Sequence, residues 1–419
     1  MHKQILLKGL LPAVVLFSSQ AAALPFQSID PRSLGMGGVG VASGTSSNAA
    51  FMNPALLSAA HEDEDFSLAM PIIGARFRDE DDLIEEVDAY QDNNLEANLN
   101  TAIDNFNTTP NDANAAAVAS ASQAMLNQLQ KFTAKPIQGE VIAGTVIAVP
   151  SKKMGASLSL NGYAVGGGQF DLSSADIALI QGIIDDANTS AAALAANSDV
   201  AAQAGGNDVV DKLTSGLDAR GALITEVGLS LSREFTIGGH AIAVGVTPKV
   251  VQVKTFDYFL DTNTAEFDAD TGTKDYDDFN IDIGVAKDFN NGWKTGFVAK
   301  NLIANDYETV RGNIVKVEPQ LRVGVARANE WLTLAADVDL VENEPAGFDS
   351  KTQYVGLGAE VDLFDWVQLR AGYRHNLSDS DTSIPTLGFG FSPFGLHMDI
   401  AVAGNGDEVA GAFQLGFRF

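Results

Sequence analysis

The sequence predicts an all-β transmembrane protein: a closed antiparallel outer-membrane β-barrel of about fourteen strands, with an N-terminal plug and partly helical outer loops. Three observations lead there. Apolar residues recur with period two in segment after segment, which is the spacing of a strand with one apolar face. The connections alternate between short and long, as outer-membrane barrels require. All three tryptophans, Trp293, Trp331 and Trp366, stand beside short connections, where an aromatic girdle would sit.

In chain order, Lys3 and Lys8, an apolar run through Phe17 and the small residues Ala21–Ala23 read as a signal peptide over 1–23. Residues 24–65 are rich in small side chains, with Gly35, Gly37 and Gly38 ahead of Asn53 and Pro54. A fourteen-stranded lumen is too wide for its own wall to fill, so this stretch is expected to plug it. The barrel is expected over 66–419, with strands starting near 66, 139, 154, 222, 240, 279, 294, 320, 331, 352, 367, 384, 396 and 411. The clearest alternation sets Leu332, Leu334, Ala336, Val338 and Leu340 against Thr333, Ala335, Asp337 and Asp339.

Short connections near 150, 235, 289, 328, 364 and 392 are assigned to the periplasm. The long ones are assigned to the outside, together with Tyr258, Tyr276, Tyr354 and Tyr373 at the outer strand ends. Loops 77–138, 171–221 and 256–278 carry −21 of the −30 that remains once the two leader lysines are removed. Two apolar stripes mark helices there: Leu83, Ile84, Val87 and Tyr90, and Ile177, Ile180, Ile183 and Ile184. An acidic, partly helical cap over the outer mouth follows.

Composition excludes several chemistries. There is no cysteine, so disulfides, thiol catalysis and thiolate metal sites are ruled out. A pI near 4.3 argues against nucleic acid as a partner. The acidic run from Asp261 to Gly272 fails the EF-hand pattern, because the twelfth position counted from Asp268 is Phe279 and not a glutamate, and the five histidines are scattered. No metal, cofactor or catalytic set is expected. His397 and Asp399 share a lumen face, but no serine is marked out to join them. On the same face Arg322, Asp337, Glu360, Arg370 and Arg374 fall on successive strands and could pair across the ladder, bracing wall or plug.

The stretch Arg32-Ser-Leu-Gly-Met36-Gly-Gly-Val-Gly-Val41, followed by Asn48 and Asn53-Pro54-Ala55-Leu56, resembles the N-terminal segment of the FadL/TodX transporters of fatty acids and aromatic hydrocarbons. With the acidic Asp79-Glu80-Asp81-Asp82 that follows, it is more similar still to the outer-membrane TraF-type conjugal transfer proteins. The resemblance implies a plugged lumen and passage of hydrophobic ligands, in some members through an opening in the third strand's wall. Here Gly166, Gly167 and Gly168 close the third predicted strand, so a lateral gap at them is one hypothesis, and an ordinary entrance through the outer loops is the favoured alternative.

Two functions remain open at this point. One is a non-enzymatic channel for hydrophobic small molecules in the outer membrane of a Gram-negative bacterium. The other is an envelope component of a conjugal transfer system whose acidic cap binds protein. Expected partners are outer-membrane lipid and lipopolysaccharide, the barrel-assembly machinery through Phe419, and a hydrophobic ligand or conjugation proteins.

Overall fold

A computed structural model describes residues 30–59, 65–203, 209–261, 271–289, 291–344, 347–348, 350–364, 366–378 and 382–419. The segment 1–23, expected to be a signal peptide, and most of the acidic run 261–272 lie outside these.

The chain starts with three short helices, α1 (Pro31–Gly35), α2 (Ala49–Met52) and α3 (Leu56–Ala59), before strand β1 (Ser67–Arg78). Helices α4 (Leu83–Asp92), α5 (Leu95–Thr108) and α6 (Asp112–Phe132) lead to β2 (Pro136–Val149) and β3 (Gly155–Asp171). Helices α7 (Ser174–Thr189), α8 (Ala191–Ala196) and α9 (Ser198–Gln203) precede β4 (Gly216–Ile237), β5 (His240–Asp261), β6 (Thr273–Asp288) and β7 (Trp293–Lys300). A small hairpin of β8 (Asn305–Glu308) and β9 (Ile314–Val317) intervenes. Then come β10 (Gln320–Ala328), β11 (Leu332–Asp339), β12 (Tyr354–Leu363), β13 (Val367–Asn376), β14 (Ser383–Phe391), β15 (Leu396–Gly404) and β16 (Glu408–Arg418).

Fourteen of the strands form one closed antiparallel barrel, in which β1 pairs with β16 and β7 pairs directly with β10. The hairpin β8–β9 stands apart as its own two-stranded sheet. Closure leaves no edge, the condition for strands to cross a bilayer. Alternation then sorts the side chains. On β11, Leu334 is 48% exposed while Asp337 and Asp339 are buried. On β15, Ile400 and Val402 face out and Ala401 and Ala403 face in. The outward set, with Leu158, Leu160, Val227, Val250, Leu369 and Leu387 among it, is an apolar belt suited to lipid.

All fourteen expected strands are found, with starts displaced by up to six residues. Three features differ. The loop assigned to 256–278 is largely strand, because β5 runs to Asp261 and β6 resumes at Thr273. Its outer face carries Gln252, Lys254, Asp275 and Asp277 in cross-strand pairs, so the wall continues without the apolar face that marks a strand in lipid. The hairpin β8–β9, within the connection 304–319, was not foreseen. Of the four outer tyrosines, Tyr373 faces outward at 45% exposure, whereas Tyr354 is buried beneath Arg374 and Tyr276 packs against Tyr307.

Candidate functional site

Residues 30–59 lie inside the barrel, toward the short-turn end. Asp30 caps α1, accepting from Ser33 N at 2.9 Å, and Pro31 presets the first turn. The chain then reverses at Gly37 and Gly38, with φ of +74° and +82°, a backbone region that favours glycine. Almost every residue from Asp30 to Ser58 is buried.

The seat is made by inward-facing glycines of the wall. A Cβ on Gly372 would collide with Gly37 N, one on Gly356 with Gly37 O, and one on Gly358 with Met36 O. Gly296 stands against Val41 O in the same way, and Gly284 against the Asn53 carboxamide. Backbone thus lies directly on backbone. Asn53 fastens the far end: its Nδ2 donates to Val41 O at 2.9 Å and to Val285 O of β6 at 3.2 Å. Pro54 abuts Gly245 of β5.

Of the charged groups expected on the lumen face, Glu360 and Arg370 pair across the ladder as expected, whereas Arg322, Asp337 and Arg374 take partners outside the expected set. Asp337, Arg322 and Glu360 hold this segment. Asp337 does not pair with Arg322. Its Oδ2 accepts from Gly40 N and Val41 N at 2.8 and 2.9 Å. Arg322 pairs with Asp339, its direct neighbour across the ladder, and donates to Gly38 O at 3.1 Å. Glu360 lies between Arg32 of the segment, at 2.7 Å, and Arg370, at 2.6 Å; Arg370 continues to Asp399, also at 2.6 Å. Arg374 pairs instead with Glu408, which also meets Arg76. Register explains the difference, because it decides which side chains lie opposite and alternation does not.

Midway along the lumen, Lys249 bridges Glu226 and Asp282 at 3.0 and 3.1 Å, and Lys300 donates to Phe51 O at 3.0 Å. A cavity of about 20 Å³ between them has room for water. Nearer the outer mouth the hairpin β8–β9 folds inward. Its Tyr307, Val315 and Val317 are buried in one cluster with Tyr163, Val165, Ile224, Val251 and Val253.

Ser392 Oγ does reach His397 Nδ1, at 2.8 Å, and Asp399 lies 4.0 Å from that same nitrogen. A catalytic relay needs serine and carboxylate on opposite ring nitrogens. Both groups sit on one side, so the arrangement is not a triad.

At Gly166–Gly168, the place considered for a lateral gap, the strand pairing is continuous. β3 pairs without a shift with β2, through Gln138↔Gly167, and with β4, through Gly166↔Gly221 and Gly168↔Ala219. The space left by the glycines is taken by the Phe256 ring at Gly166, Gln138 at Gly167 and Leu217 at Gly168. The ladder is thus unbroken there, although an apolar pocket of about 760 Å³ lies at these glycines, lined also by Phe77, Val141, Leu217 and Phe256. Phe419 stacks on Phe66 at the closing seam, and its N donates to Phe66 O at 2.9 Å.

A family model described as "F plasmid transfer operon, TraF, protein" matches residues 50–339, more than half of the chain. The chain belongs to this TraF family. That match takes in Asn53, the cap and the wall through β11. No curated protein matches. Among solved structures, this TraF-family chain resembles the TodX deltaS2S3 mutant monoaromatic hydrocarbon channel, at 11% identity and TM-score 0.53, over 93% of this chain and 99% of that one. It also resembles the Ralstonia pickettii toluene transporter TbuX, at 12% identity and TM-score 0.51, over 93% and 98%. A Pseudomonas aeruginosa FadL homologue matches at 11% identity and TM-score 0.50, over 95% and 99%. At such identities the likeness is one of fold: a FadL-like outer-membrane barrel.

Proposed function

We propose that this TraF-family protein is a non-enzymatic outer-membrane channel for hydrophobic small molecules, with residues 30–59 acting as its plug. One observation carries the reading. The wall closes on itself through β1 and β16, and no part of the segment joins the ladder. Among the described residues, side chains, close backbone contacts and one backbone hydrogen bond, from Ser151 N to Leu57 O at 2.9 Å, hold it outside the ladder, so its displacement leaves the barrel whole.

The test uses vesicles with a lipopolysaccharide outer leaflet, which resists apolar solutes, and a labelled long-chain fatty acid or toluene. Gly372→Val places a side chain where Gly37 sits and is expected to release the segment. Entry should then exceed that of the parent protein, while heat-modifiable migration on gels shows an intact barrel. Exclusion of both solutes by both folded proteins would end the reading.

A second reading, an envelope component with a protein-binding acidic cap, is favoured by the cap itself. Helices α4–α9 enclose their own apolar core around Phe106, Met125, Ile180, Ile183 and Leu194. A barrel lacking α4–α6 that keeps solute entry but loses conjugal transfer would move the weight to this alternative.

A further inference from the structure

The lumen of a large outer-membrane barrel is ordinarily lined by polar side chains. Here the outer half of the inner wall departs from that rule. Val165 of β3, Ala222 and Ile224 of β4, and Val251 and Val253 of β5 form a continuous apolar patch on three neighbouring strands, each at most 3% exposed. The hairpin β8–β9 covers them, with Tyr307, Val315 and Val317 packed in the same cluster. The Tyr307 ring lies 5.3 Å from that of Tyr276 on β6, closing an aromatic slot.

The hairpin's attachment is of a different kind. Its two strands pair only with each other. Polar contacts tie it to the wall: on β6, Tyr276 Oη donates to Glu308 O at 2.6 Å and Lys274 lies 3.7 Å from the Glu308 carboxylate, and a latch forms at the hairpin's tip. The buried carboxylate of Asp257 accepts from Thr309 Oγ1 at 2.6 Å, from Asn313 Nδ2 at 2.8 Å and from Arg311 at 3.1 Å. Arg311 also pairs with Asp218, and Tyr307 donates to Asp278 at 3.1 Å. A segment that buries apolar side chains on an otherwise exposed apolar wall, yet is fastened by a few hydrogen bonds, has the build of a displaceable cover.

We infer that the hairpin β8–β9 is an autoinhibitory lid seated on an apolar ligand surface, and that single-ring hydrophobic molecules compete with Tyr307 and Val315 for it. The proposal deepens the channel reading and rests on it. A ring of toluene's size fits the place of the Tyr307 ring against Tyr276, and its burial on Ile224, Val251 and Val253 replaces the contacts the hairpin gives up. Releasing the latch and adding the ligand therefore act in the same direction.

The chain has no cysteine, so a single reporter at Val315→Cys, buried at 1%, reads the hairpin by its rate of maleimide labelling in detergent. Adding Asp257→Asn removes the charged acceptor of three hydrogen bonds and should speed labelling by about tenfold. Toluene added to the Val315→Cys protein should speed it too. A reporter at Ile183→Cys in the cap core should not respond. Should the Val315 reporter disturb folding, trypsin cleavage after Arg311 in the parent chain gives the same readout. Labelling or cleavage unchanged by Asp257→Asn, unchanged by toluene, or matched by an equal rise at the Ile183 reporter would overturn the lid. None of these measurements involves transport. Toluene-driven opening without solute entry would sink the channel reading and leave the lid standing.

Discussion

The N-terminal segment and the helical cap are both insertions on the same barrel, and they are held in opposite ways. The cap carries its own core: Leu99, Ile103 and Phe106 of α5, Val118, Met125, Leu126 and Phe132 of α6, and Ile180, Ile183 and Ile184 of α7 bury one another. Its link to the wall is narrow, chiefly Phe132 against Phe170, with ring centres 5.5 Å apart. The segment instead has helices of four or five residues, too short to be stable alone. Its order comes from the wall's glycines and charges. The cap is an independent packing unit; the segment is a guest.

Breaking the guest's charge anchor should therefore have the largest effect. Glu360 is the acid between Arg32 and Arg370 in the contacts described, and Glu360→Ala takes from the part-buried Arg32 its carboxylate partner while Arg370 keeps Asp399. Removing one partner of a buried pair costs about 3–5 kcal/mol. The segment should become open to protease, with the barrel still resistant to SDS at low temperature. Protection of residues 30–59 equal to that of the parent would show that glycine contacts alone suffice.

The complementary cut is in the cap. Ile183 is fully buried between α7 and its neighbours, and Ile183→Ala should cost about 2–5 kcal/mol through the lost side chain and the cavity left behind. Hydrogen exchange should rise across α5, α6 and α7 together and leave α1–α3 and the strands unchanged. Spread of that exchange into residues 30–59 would erase the distinction between the two regions.

The wall was legible because lipid imposes alternation on it. Val355, Leu357 and Ala359 against Gly356, Gly358 and Glu360 gives the strand and its faces at once. The same stretch held an unread signal, since Gly356 and Gly358 both take the lumen position, where small residues are needed only if something lies close. Gly284, Gly296, Gly324, Gly372 and Gly388 repeat it. Those parities outline the seat of the segment. The partners of the charges were not legible. Asp337 faces Gly324 and Arg322 faces Asp339 only because of a register that the turn between β10 and β11 sets. The long loops were legible in part: the Ile180–Ile184 stripe was clear, while the Leu83 stripe misplaced Ile84, which is 47% exposed. The hairpin escaped because strands of four residues carry too few alternations to register.

The smallest expected effect lies at the acidic rim of the cap. Glu86 of α4 accepts from Gln128 of α6 at 2.8 Å, with Lys131 at 3.3 Å and Lys135 at 3.5 Å. The Gln128 hydrogen bond first, and then Lys131, hold its carboxyl below the ordinary 4.5, against the opposing effect of desolvation. A carboxyl depressed by folding adds stability that is complete above its unfolded value and is lost as pH falls through the lower folded one. The docking of α4 on α6 should thus be constant from neutral pH down to about 4.5 and loosen below it. Because these partners are partly in water, exchange in α4 should rise only about twofold to threefold on that account. Glu86→Gln should remove this step while leaving exchange in residues 30–59 as it was. If the step persists in that variant, other cap acids carry it, and Glu86 is no more than a neighbour of the lysines.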